Sequence, residues 1–110
     1  MHIAITNFYL LSITGPKIPA ELDSPHIETA VTAKADVIGW LKRSLDAVQN
    51  ARANLKPGDL QRKVKVYGVD ATVDGMYLRI IVHANEHMGQ LVAYARMNGI
   101  VPPWSEGAAK

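Results

Sequence analysis

His83 and His87 stand four residues apart in the stretch "HANEH", with Glu86 directly before the second histidine. On a helix this spacing stacks two imidazoles one turn apart, so both can reach a single ion. The chain has no cysteine, hence no thiolate nucleophile and no sulfur ligand, so any metal must be held by nitrogen and oxygen. Two ligands hold a metal weakly, and His2 is the candidate for a third. A helix beginning at His2 carries Ile5, Thr6 and Tyr9 along the same stripe. Laid beside the helix of the pair, it would bring three rings together. Three neutral imidazoles leave coordination positions open and the ion's charge largely uncompensated, which acidifies bound water or attracts an anionic ligand. Such a site is catalytic in type rather than a closed structural one.

At about 100° per residue, His83, His87, Gln90 and Tyr94 fall within an arc of roughly 60°. Gln90 and Tyr94 are therefore the candidate catalytic or substrate-orienting residues beside the metal candidates His2, His83 and His87. Plainer readings stand next to these. An i, i+4 histidine pair also arises by chance, His2 can be a frayed terminus, and Gln90 and Tyr94 can serve packing alone. His26, in a proline-flanked loop, reads as a surface residue. "HANEH" also fits the H-x-x-E-H pattern of metallopeptidases. Glu86, however, points about 100° away from His87, and the chain offers no separate substrate-binding body. Ser12, Ser24, Ser44 and Ser105 lack the surroundings of an activated nucleophile.

Three helical segments must position these side chains. The first, about Met1 to Ile13, is apolar nearly all round through Ile3, Ile5, Phe8, Leu10, Leu11 and Ile13, so it must pack on more than one side. Its apolar opening resembles a signal peptide but has no Lys or Arg before Lys17, and it is too short to span a bilayer. Thr14-Gly15-Pro16 ends it, and Pro19 and Pro25 keep the following segment looped. A second amphipathic helix runs from an N-cap at Thr32 to about Leu55, with Val37, Leu41, Leu45, Val48 and Leu55 on one side. Pro57-Gly58 breaks it, and "KVKVYG" reads as a short extended piece. The third helix runs from about Thr72 to Asn98, with Gly99 in the C-cap position. Ile80, Ile81, Ala84, Met88, Leu91, Val92 and Ala95 form its expected buried face.

With 110 residues and 48% hydrophobic content, the chain fits one globular domain, residues 1–110. A net charge of +2 with only Arg62, Lys63 and Lys65 clustered offers no stripe for a phosphate backbone, so nucleic acid is not an expected partner. No run approaches membrane length, and the chain is expected to be soluble and cytoplasmic.

The stretch "HANEHMGQLVAYARMNGIVPPWS", with H-x-x-x-H, then G-Q-L, Y-x-R and G-I-V-P-P-W, resembles the fourth helix and C-terminal tail of the DinB/YfiT-like family of metalloenzymes. "HIAITNFYL" resembles that family's second helix, and "TAKADVIGWLKRSLDAV" its third. The resemblance implies an all-α fold, an up-and-down helical bundle of the DinB/YfiT-like four-helix type. Three main helices are expected here, because the chain begins where the family's second helix begins and the first helix is missing. It implies a divalent metal, nickel or zinc, on His2, His83 and His87, and for some members a low-molecular-weight thiol in transferase or isomerase chemistry. It also implies a homo-oligomer, commonly a dimer, acting on a small-molecule substrate. "VPPWS" is expected to fold back so that Trp104 seals one end of the bundle. The rival expectation is a truncated, inactive helical module that oligomerises without metal.

Overall fold

The computed structural model describes residues 1–105 and 107. Helix α1 (His2–Ser12) is followed by a 3₁₀ turn (Ala20–Leu22), the short α2 (Ile27–Ala30) and α3 (Lys34–Ala53). A second 3₁₀ turn (Asp59–Gln61), strands β1 (Lys63–Val66) and β2 (Val69–Thr72), α4 (Val73–Met97) and a last 3₁₀ turn (Pro103–Ser105) complete the order.

The all-round apolar character of α1 has its reason in the packing: α1 lies against both α3 and α4. It buries Ala4, Thr6, Asn7, Leu10 and Leu11. One polar pair is threaded through the α1–α3 contact, where Asn7 Nδ2 donates to Ser44 Oγ at 3.1 Å and Ser44 Oγ donates to the Leu41 carbonyl at 2.8 Å. The main core gathers at the C-terminal end of α1, where Leu10 and Leu11 meet Val73, Met76, Tyr77 and Ile80 of α4, with Val48 and Leu55 packed around them. The histidines sit at the other end of α1, held by a packed base yet clear of it.

The expectation of an all-α bundle with three main helices is corrected here. Among the described residues there are four helices, and an antiparallel ladder pairs Lys63 with Thr72 and Val66 with Val69 between α3 and α4. The short extended piece read in "KVKVYG" is strand β1, in which Val64 and Val66 turn to the core while Lys63 and Lys65 face water. Tyr67 (φ 51°) and Gly68 (φ 80°) make the two-residue turn, both in the left-handed region that such hairpin loops require. Tyr67 stacks on Tyr9 with ring centroids 5.5 Å apart, a contact that offsets the strain of a non-glycine residue there. The helix expected to be capped by Thr32 is α3, whose N-cap is Ala33, one residue later.

Helix α4 is started and stopped by local chemistry. Thr72 Oγ1 accepts from the Gly75 N–H at 3.1 Å. At the other end Gly99 (φ 72°) lets Ile100 N–H reach the Ala95 carbonyl and Gly99 N–H the Arg96 carbonyl, a Schellman cap. The expected buried face of this helix also needs correction. Ile80 is buried, but Ile81, Met88 and Leu91 are 57%, 54% and 60% exposed. The buried set is Val73, Met76, Tyr77, Ile80 and His83, a face turned roughly 60° toward the histidine stripe. From Ala84 to Met97 no residue of α4 is buried. The tail lies along α4 with Pro102 buried, but Trp104 is 70% exposed and seals nothing. Among the described residues no helix is long and apolar enough to cross a membrane.

Candidate metal centre

His2 is the first residue of α1, and His83 and His87 occupy successive turns of α4. Because α1 packs against α4 with its C-terminal end at the start of α4, its first residue falls level with the pair. The three rings converge: His83 Nε2 lies 3.2 Å from His2 Nε2 and 3.0 Å from His87 Nε2. One ligand nitrogen from each ring lies within 4.8 Å of the others. Ring centroids are 5.0, 5.1 and 4.5 Å apart and the planes meet steeply, so the rings point nitrogens at a common centre rather than stacking.

The outward nitrogens bear on which ring nitrogens are free to act as donors. His2 Nδ1 donates to Glu28 Oε1 at 2.8 Å, and His87 Nδ1 donates to Gln90 Oε1 at 3.0 Å. A carboxylate and an amide oxygen accept only, so in the neutral rings both Nδ1 atoms carry the proton and both Nε2 atoms are bare lone pairs. His83 can give one N–H to one neighbour at most. With neutral rings, lone pairs therefore face each other at hydrogen-bond distance, an arrangement that a cation at their centre relieves. Histidine ligands of metals commonly show this pattern, with the second nitrogen donating to a carboxylate or carbonyl oxygen. His83 Nδ1 is the exception, buried with no partner. The chemistry of the donor set fits a divalent ion that accepts imidazole ligands.

Exposure is graded across the site. His83 is 5% exposed, whereas the side chains of His2 and Glu28 are 55% and 51% exposed. Burial holds the His83 imidazole below its ordinary range, helped by the His87 and His2 rings and Arg79 and opposed by Glu86. A ring kept neutral is a ring ready to ligate. Glu86 turns away from the cluster and lies 3.6 Å from Arg79, so the peptidase arrangement, with this glutamate beside the metal, is not formed. His26 is exposed at the N-cap of α2 and is not one of the converging rings.

Gln90 and Tyr94 line, together with His2 and His87, a cleft of about 310 Å³ whose other walls come from α1 and α3. Glu28 is the residue that sequence pattern does not reveal. It sits on the four-residue α2, 26 positions from the histidine it holds, in a segment without periodicity.

Neither a curated protein nor a solved structure matches this chain. A family does: residues 5–99, which carry His83, His87, Gln90 and Tyr94 and begin just after His2, match the family described as "Protein of unknown function (DUF1572)", and the chain belongs to that family.

Proposed function

We propose that this protein is a metal-dependent enzyme of the DinB/YfiT-like kind, in which His2, His83 and His87 hold a divalent ion, nickel or zinc. The observation that carries the reading is the convergence of three imidazole nitrogens within 4.8 Å while Glu28 and Gln90 fix the outward nitrogens of two rings. A divalent ion in such a site supplies a Lewis acid and acidifies water or a small thiol for transfer or isomerisation chemistry. The residues do the rest. Buried His83 fixes the centre, Glu28 and Gln90 orient the two more accessible rings, and Tyr94 offers a hydroxyl at the cleft wall to orient substrate. With no cysteine in the chain, any thiol comes from outside, which suits a reducing cytoplasm.

We further propose a homodimer formed through the outer face of α4. Leu78, Ile81 and Val82 are 61%, 57% and 40% exposed, an apolar surface that association would cover. The same surface favours the second reading, an inactive module that oligomerises without metal. Elemental analysis of purified protein after dialysis separates the two. The enzyme reading expects about one equivalent of nickel or zinc per chain, lost in His83→Ala with the helices intact. No metal after incubation with an excess of both ions would overturn it.

A further inference from the structure

The cleft beside the histidines differs in chemistry from the centre it adjoins. Ile3 of α1, Val37 and Leu41 of α3 and Leu91 of α4 give it aliphatic walls, Met1 with the chain's α-amino group also lines it, and among the described residues no charged side chain does. Its polar side chains are the imidazoles of His2 and His87, the Gln90 amide and the Tyr94 hydroxyl, three of the four on the α4 wall. Three neutral imidazoles bring no negative charge, so a dication held by them keeps an attraction for an anion at that wall. The remaining walls favour burial of hydrocarbon. From this division we infer that the cleft takes a small amphiphile, an aliphatic body seated against Ile3, Val37, Leu41 and Leu91 with an anionic head, such as a carboxylate or thiolate, directed at the histidine cluster. The inference rests on the metal reading for the head alone, because the aliphatic seat is built from the protein's own side chains.

Size sets the ligand. At roughly 30 Å³ per small heavy-atom group in a liquid, a cleft of about 310 Å³ holds on the order of ten such groups. A second copy seated in the cleft is the rival occupant, but the exposed apolar residues Leu78 and Val82 lie on the far side of α4, roughly 140° and 180° round the helix axis from Leu91, and Ile81, roughly 80° away, does not line the cleft. Association through that outer face leaves the cleft free.

The probe is a series of straight-chain carboxylates from acetate to decanoate, titrated by calorimetry into the full chain, metal-free and nickel-loaded, with metal content measured on each sample. The slope with chain length reports the cleft and is expected in both forms. Each added methylene should tighten binding about two- to fourfold, levelling off near ten carbons. The nickel-loaded form should bind every member of the series more tightly than the metal-free form, which reports the head. Leu91→Asp, at a position already 60% exposed and so tolerant of change, should abolish the slope, whereas the equally exposed Ile81→Asp outside the cleft should keep it. An affinity independent of chain length, or a slope that survives Leu91→Asp, would overturn the aliphatic seat whatever the metal content. A slope with no gain on loading would overturn the placement of the head, and binding that weakens as protein concentration rises would give the cleft to a second copy. Failure to take up nickel would instead strike the metal reading, while the slope in metal-free protein still decides the seat.

Discussion

Replacing Glu28 by alanine should weaken metal binding by about tenfold without unfolding the protein. The structure sets that size. Glu28 accepts from His2 Nδ1 at 2.8 Å, so its loss frees the ring to rotate and to shift its proton to the nitrogen that should ligate. Removing partners of this kind costs 10–100-fold in metal affinity. Both side chains are about half exposed, 55% for His2 and 51% for Glu28, so water can replace the lost acceptor in part, which points to the low end. A tenfold loss is about 1.4 kcal/mol. In the metal-free protein a half-exposed pair contributes at most about 1 kcal/mol, so thermal unfolding should move little. Glu28→Gln keeps an acceptor and loses the charge, and should fall between alanine and wild type. Competition against a chelating dye measures all three affinities. Affinity in Glu28→Ala within twofold of wild type would refute the reasoning, as would a loss as complete as that of His83→Ala, which would make Glu28 a ligand rather than an orienting residue.

Further outcomes follow from other parts of the molecule. Ser44→Ala leaves the fully buried Asn7 amide without its acceptor, beside an Asn7 Oδ1 that already has no partner, and should cost about 1–3 kcal/mol in urea unfolding; Leu45→Ala, at a position 41% exposed, should cost clearly less. The His83 imidazole is held below its ordinary range, so as pH falls through about 6.5 the unfolded chain takes up a proton before the folded one does. Metal-free protein should therefore be fully stable above that pH and lose stability below it, a dependence that urea midpoints at pH 7.5 and 5.5 should reveal and that His83→Asn should flatten. Gly68→Ala meets no atom within 4 Å but must hold φ +80°, so it should destabilise the hairpin by about 1–2 kcal/mol through backbone strain alone, read as a lowered melting temperature.

What the sequence makes legible here divides along physical lines. His83 and His87 are visible because helical periodicity is a local property, and the i, i+4 stripe that carries them also carries Gln90 and Tyr94 to the cleft. The meeting of His2 with the pair, 81 positions away from His83, depends on how α1 lies on α4, which spacing alone does not contain. Glu28 is hidden for the same reason and because its helix is a single turn. The hairpin was obscured by its loop and its second strand: Tyr-Gly lacks the usual Asn or Asp at the left-handed position, and "VDAT" doubles as the N-terminal approach to α4. Apolar periodicity misjudged the inward face of α4 because it weighted Ile81, Met88 and Leu91, while the face that is covered includes a histidine.

The central claim is that three imidazoles hold one ion, and the X-ray absorption spectrum of nickel-loaded protein tests it most directly. Multiple scattering from three imidazole rings around a single nickel is the expected result, falling to two in His2→Ala. A spectrum fitted by oxygen ligands alone, or one unchanged by His2→Ala, would contradict it.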